Sequence, residues 1–427
     1  MNSELSPSIL DKLTDPEAWE EFYRHRSDGG HRSRGEMKEL RQFIDSGRHL
    51  TAAAELAAGR MSALPAVKEL NKKFTGKKRT VFTFPKAQNF VLKLLAHLLY
   101  QYDHLFSPYL FSFRQNTGVK VAMRRLLRQG DLGRVYTYKV DIHDYFNSVD
   151  TERMLSILRA SLPGDQRLCD LVRVILTEPA AMLGKERVEV RKGIMAGVPI
   201  AGFLADLYLA DLDRYFEQRG ILYARYSDDI IVFANTEGER AEYERVIIDK
   251  LHESGLTVNH KKEFRTSPGE EWEFLGFAYR DGRIDLAEAA VSKLKAKLRR
   301  KARTLVRWRR KNNAAPESAI KAYLKHFNRK FFDNPVHNEV TWALWYFPVI
   351  TCTDRLREID HYMQDCIRYI YTGRHTKANY NLRYDDIRAL GYRSLVNAYY
   401  GYCEKTAKAE RESANASAEE KSTAREN

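Results

Sequence analysis

The sequence is poor in cysteine, with four in 427 residues. Cys169, Cys352, Cys366 and Cys403 show neither C-x-x-C spacing nor an accompanying histidine pattern. That excludes a zinc-ribbon or disulfide-scaffold protein and suits a reducing cytoplasm. Long apolar runs are missing as well: none approaches the ~18 residues that a spanning helix needs. Met1-Asn2-Ser3-Glu4-Leu5 lacks the basic start and apolar core of a signal peptide. These absences predict a soluble, cytoplasmic protein with no membrane partner. Acid is scarce relative to base, since 71 Lys and Arg against 57 Asp and Glu leave a formal charge of +14. Such a balance favours polyanionic partners held through phosphate contacts. With 44% hydrophobic residues there is material for two or three packed domains.

What acid there is falls in an informative place. Tyr136, Tyr138, Val140 and Ile142 alternate with Thr137, Lys139 and Asp141, a period-two pattern that predicts a strand with Asp141 on the face opposite the apolar one. Arg225-Tyr226-Ser227-Asp228-Asp229-Ile230-Ile231-Val232-Phe233 reads as a hairpin with adjacent acids at its tip. Asp-Asp also suits an ordinary turn. If the two segments meet, however, three carboxylates converge, and their repulsion is tolerable only when cations neutralise it. Two Mg²⁺ ions clamping attacking and leaving oxygens are the usual answer in nucleotidyl transfer.

On these residues the chain resembles the reverse transcriptases, from about Lys77 to Tyr400. Asp141-Ile142-His143-Asp144-Tyr145-Phe146 is similar to the family's first catalytic motif, and Tyr226-Ser227-Asp228-Asp229 to its Tyr-x-Asp-Asp box. Gly193-Ile194-Met195-Ala196-Gly197-Val198-Pro199 with Phe203 to Leu209 resembles the Gly-x-Pro-Gln-Gly segment and its following helix. It departs from the family at Met195 and Ala196, where Pro and Gln are usual. Lys78, Arg79 and Phe113-Arg114 resemble the fingers motifs, Gly255 to Asn259 with Lys262 the lysine motif, and Phe274-Leu275-Gly276-Phe277 the primer grip.

The resemblance implies an α+β right-hand polymerase, fingers and palm, with an α-helical thumb and a helical N-terminal extension. It implies template-directed DNA synthesis from deoxynucleoside triphosphates, with an RNA template and a DNA product. Asp141 and Asp228 would ligate two Mg²⁺ ions with help from Asp229 and the carbonyl of Ile142. Lys78, Arg79, Arg114 and Gly197 would meet the nucleotide, and Lys262 would protonate the pyrophosphate. Phe146 stands where the family places its gate against a ribose 2′-hydroxyl, with a core aromatic as the lesser reading of the same ring.

The expected domains are a helical extension over 1–75, fingers and palm over 76–285, a basic helical thumb over 286–405, and a disordered tail over 406–427, rich in Ala, Glu, Ser and Lys. From Val291 to Lys311 apolar residues recur at helical spacing amid ten or more basic residues and no acid. A run of this kind is self-repulsive unless an anion lies against it. Lys293, Lys297 and Arg300 are therefore expected on nucleic acid, with Phe274, Leu275 and Gly276 beside them; a membrane-surface helix is the other reading. The interleaved basic and aromatic residues of Tyr371 to His375 suit single strands. The chain ends soon after the thumb, which leaves no room for an RNase H, integrase or nuclease domain. This layout most resembles bacterial enzymes related to group II intron proteins, in particular the defence-associated unknown groups, which implies a noncoding RNA template and antiphage defence. A retron or group II intron-like enzyme, a template-independent polymerase and a non-catalytic RNA-binding scaffold remain as alternatives.

Overall fold

The structure is a computed structural model and describes residues 8–28, 34–71, 78–190, 193–332 and 341–426. Two compact units divide it, one holding residues 1–270 and the other mainly 271–427. The fold class is the α+β one expected.

In the first unit, helices Pro16–Asp28, Arg34–Asp45 and Arg48–Ala57 precede strand β1 (Ala66–Asn71), so the N-terminal 75 residues are not wholly helical. Trp19, Phe22, Leu40 and Phe43 are buried in the same cluster as Leu92, Leu95 and Leu158. The N-terminal helices thus share the core of the unit. Asp165 ties them down, accepting from Ser8 Oγ (2.6 Å) and the Ile9 N–H (2.9 Å).

A four-stranded sheet follows the order β2-β1-β4-β5, with β2 at Lys78–Thr83, β4 at Ala180–Leu183 and β5 at Glu186–Glu189. A second sheet, order β6-β7-β3-β8, carries the acids: β3 is Tyr136–Asp141, β6 Tyr223–Tyr226, β7 Asp229–Ala234 and β8 Phe264–Thr266. Ile230, Ile231, Val232, Phe233 and Ala234 are all buried, as both faces of β7 are covered. The helix Ala201–Tyr208, apolar all round except for Asp206 and buried at every residue, is tied to β6 by Arg225, whose Nη2 donates to the Asp206 carbonyl (2.9 Å). The helix Glu237–Glu253, which packs against β3 and β7, starts in a capping box made by Thr236 and Glu239.

The second unit opens with the sheet β9-β10-β11 (Trp272–Phe274, Phe277–Arg280, Arg283–Leu286). The sequence had placed this segment with the palm up to residue 285. It groups with the helices because Ile284 bonds to Thr351 through both its N–H and its carbonyl. The helices Glu288–Lys311, Pro316–Phe331 and Asp354–Thr372 pack on one another through Leu298, Tyr323, Met363 and Ile367, all buried. Residues 406–426, expected without structure, continue the helix Leu395–Glu426 instead. Ala, Glu and Lys are strong helix formers, which composition counted as disorder obscures. No helix among the described residues is long and apolar enough to cross a membrane.

Candidate active site

Strand register brings the acids together. β3 and β7 run antiparallel with Asp141 opposite Asp229, and β6 pairs β7 with Tyr226 opposite Asp229. Ser227 and Asp228 therefore form a two-residue turn, with Ser227 at φ +59°, and the Ile142 N–H donates to the Asp228 carbonyl (3.0 Å). Three carboxylates from two distant segments share one end of a sheet.

The face of β3 opposite the apolar one is itself enclosed at this end. Asp141 is 4% exposed, because Asn259 Nδ2 donates to its Oδ1 (2.9 Å) and Lys262 Nζ to its Oδ2. The Asn259 N–H also donates to the Asp141 carbonyl (2.8 Å). Burial, then the charges of Asp141 and Asp229, push the Asp228 carboxyl up to about 6. Burial raises Asp229 as well, against the pull of Lys139, whose Nζ lies 3.6 Å away. Burial works against the Lys262 ammonium, but its bond to Asp141 and the nearby Asp229 and Asp228 hold it above its usual range. Two protein ammonium groups thus partly neutralise a cluster whose carboxylates resist ionising together. An all-oxygen, anionic donor set of this kind fits Mg²⁺. The three carboxylates do not converge to within 4.8 Å, whereas Asp285, Cys352 and Asp354 in the other unit do. That group is held by protein donors: the N–H groups of Leu286 and Arg355 on Asp285, and Arg283 on Asp354.

Beneath the acidic turn lies a buried ionic network that the sequence did not reveal. Arg225, fully buried, binds Asp213 through Nε (2.8 Å) and Nη2 (2.6 Å) and donates to the carbonyls of Asp206 and Ser227. Ser112 Oγ accepts from the Ser227 N–H (2.9 Å) and donates to Asp206 Oδ1 (2.7 Å). Asp206 lies 3.8 Å from Arg225, a separation that reads as a second ion pair. Burial, however, lifts its carboxyl to about 8, despite Arg225 and Ser112, and its Oδ2 has no hydrogen-bond partner. Asp213, which Arg225 meets through Nε and Nη2, is therefore its main counterion, and burial favours the neutral form of Asp206. The only signal in the sequence was a basic residue inside an apolar strand.

The residues that the resemblance assigns to the nucleotide lie around the loop Gly193 to Gly197 and β2. Gly193 lies so close to the Phe146 backbone that a Cβ would sit 2.2 Å from the Phe146 oxygen, and one on Gly197 would sit 2.8 Å from the Phe82 oxygen. Ala196 accepts from the Phe82 N–H (2.8 Å), docking this loop on β2. Met195 and Ala196, the two departures from the family, are buried. The backbones of Lys78 and Arg79 lie in β2, opposite Asn71 and Leu70; their side chains lie outside the described residues. Phe146 is half-buried, meeting Phe113 edge-on at 6.2 Å, and Phe113 in turn covers Gly202. Arg114 is engaged inward, on Asp103 (3.0 Å) and the carbonyls of Ser107 and Leu110.

In the second unit Leu275 and Gly276 form the β9–β10 turn, both at positive φ, with Phe274 fully buried. Lys293, Lys297 and Arg300 are exposed on the helix Glu288–Lys311.

Residues 70–279 match the family described as "Reverse transcriptase (RNA-dependent DNA polymerase)". The Retron Ec86 reverse transcriptase of Escherichia coli is 20% identical over 171 residues, 39% of this chain and 49% of that protein. The chain thus spans about half the length of the curated relative it matches. Solved structures include apo telomerase from Candida tropicalis (TM-score 0.44, 12% identity, 77% of this chain and 60% of that one). Telomerase from Candida albicans in complex with a fragment of telomeric RNA is another (TM-score 0.43, 10% identity, 84% and 70%). By the family match, residues 70–279 of this chain form a reverse transcriptase domain.

Proposed function

We propose that the protein is an RNA-directed DNA polymerase that copies a dedicated noncoding RNA into DNA in antiphage defence. The observation that carries the polymerase reading is the register pairing Asp141 with Asp229, with Asp228 in the adjoining turn and Lys262 on Asp141, inside the matched domain. Asp141, Asp228, Asp229 and the Ile142 carbonyl would hold two Mg²⁺ ions, which when bound neutralise the triphosphate and lower the pKa of the primer 3′-hydroxyl.

The chain's own residues do the rest. Lys262 keeps a proton at Nζ beside the site where pyrophosphate leaves, and is its donor. Lys139 balances Asp229. Phe146, braced by Phe113, sets the floor beneath the sugar, and Lys78 and Arg79 bind phosphate oxygens. Catalysis by such a site is mainly positioning and charge stabilisation.

The dedicated template and the defence role draw their support from the sequence resemblance. A retron-like enzyme is the second reading, favoured by the named relative. Sequencing the RNA and DNA that copurify with the protein, beside phage challenge of cells carrying the wild type or the Asp228→Ala, Asp229→Ala form, tests both. One enriched RNA with matching cDNA, and protection lost in the double variant, is expected. Equal protection by both forms, or cDNA scattered over cellular RNA, overturns the proposal.

A further inference from the structure

The basic helix Glu288–Lys311 presents a row that the polymerase reading does not use. Arg299, Arg303 and Arg307 recur at i, i+4 and i+8, all exposed, and form no ion pair or hydrogen bond among the described residues. Their neighbours Arg309 and Arg310 are engaged, donating to the carbonyls of Ile370, Tyr371 and Gly373 at the end of the helix Asp354–Thr372. The three arginines line a groove of about 600 Å³ bounded by Tyr369. Arg299, Arg303 and Tyr369 also line a second cavity, of about 440 Å³, so the two adjoin.

That second cavity has a different chemistry. Tyr369 stacks on His375 (4.6 Å between ring centroids, 15° between planes), and Tyr362 and the 69% exposed Tyr380 complete an aromatic lining. Arg368 neutralises Asp365 and lies over the Tyr380 ring, so no free carboxylate opposes an anion there. Asn379, 9% exposed, also lines this cavity, and its side-chain amide is held by the Thr372 hydroxyl (2.6 Å). Unpaired guanidinium groups recognise phosphate, while a stacked aromatic platform with an oriented amide recognises a flat heterocycle. Volumes of this size hold groups as large as nucleotides.

We propose that this unit carries its own site for single-stranded nucleic acid, with backbone phosphates on Arg299, Arg303 and Arg307 and an unstacked base in the Tyr362, Tyr369, His375 and Tyr380 cavity. A duplex keeps its bases stacked and leaves the cavity unfilled. The site stands on the geometry of this unit and goes beyond the polymerase reading.

The test uses the full chain in its Asp228→Ala, Asp229→Ala form, which keeps the outcome separate from polymerisation. Probes are a short RNA bearing 4-thiouridine, a DNA of the same sequence bearing 4-thiothymidine, and the corresponding duplex, read by anisotropy over a salt series and by mapping of photo-crosslinks. Expected are crosslinks within residues 362–380 and a roughly fivefold to hundredfold loss of single-strand affinity in Tyr369→Ala, Tyr380→Ala, with duplex affinity and salt slope retained. Arg299→Gln, Arg303→Gln should lower the single-strand salt slope by about 1.4. Tyr369→Phe should bind as wild type, since the ring face is kept. Loss in both the RNA and DNA arms defines the ligand as any single strand, and loss in the RNA arm alone defines it as RNA; either supports the site. Crosslinks only outside 362–380, or an equal loss for duplex and single strand in the aromatic variant, overturns it.

Discussion

The acidic sheet and the basic helix handle charge by opposite rules. Around β3, β6 and β7 opposite charges are paired: Arg225 with Asp213, Lys262 with Asp141, Lys139 with Asp229. On the helix Glu288–Lys311 and its neighbour Pro316–Phe331, Lys295 pairs with Glu358, but around Lys297 and His326 like meets like. Burial, then Lys330, Lys293 and Arg300, lower Lys297; burial, then Lys330, Lys301 and Arg329, push His326 down to about 4. Paired charges in the sheet fix a geometry, whereas crowded like charges on the helix select a class of ligand.

The largest expected break in this contrast is at Arg225. Arg225→Leu strands Asp213 as a buried charge and should destabilise the first unit by about 3–5 kcal/mol, read by urea denaturation. Replacing Lys293, Lys297 and Arg300 together by Gln should cause no comparable loss of stability and should reduce duplex affinity, with a salt slope shallower by about 0.9 for each phosphate no longer neutralised. An unchanged slope would show that this face meets only solvent.

Smaller effects sharpen the comparison inside the sheet unit. Phe146→Ala should raise ribonucleotide relative to deoxyribonucleotide incorporation by about tenfold or more, since a steric edge rather than a hydrogen bond rejects the 2′-hydroxyl; an unaltered ratio would assign the ring to packing alone. Asp206 gives a pH signature. Its folded carboxyl, at about 8, holds a proton that the unfolded chain has released above its ordinary value, so its contribution to stability falls as pH rises from ~4 to about 8. Asp206→Asn should flatten that decline in thermal unfolding curves, and a variant with the same decline would show that Asp206 ionises normally.

The sequence made the acidic hairpin legible because apolar residues flank Ser227-Asp228 and period two runs through β3; both are local patterns. It did not show that Asp141 is buried, since Asn259 and Lys262 arrive from some 120 residues away. Arg225 was equally opaque: its worth depends on Asp213, set by how the helix Ala210–Gln218 lies against β6. β1 went unread, because apolar residues do not alternate through Ala66-Val67-Lys68-Glu69-Leu70-Asn71, and its pairing with β2 and β4 is what makes it a strand. The two compact units part at 270, and Ile284 of β11, short of the expected boundary at 285, bonds to Thr351, again a distant partner.

The central claim, that the register of β3 and β7 builds a template-reading polymerase site, is tested most directly by primer extension on a defined RNA template with Mg²⁺ and all four deoxynucleotides. The wild type should add the nucleotides complementary to the template. The Asp228→Ala, Asp229→Ala variant should fall by about a thousandfold or more while its melting temperature holds or rises, because the change removes mutually repelling charges together with the metal ligands. Extension that persists in the double variant, or wild-type products that ignore the template sequence, would contradict the account.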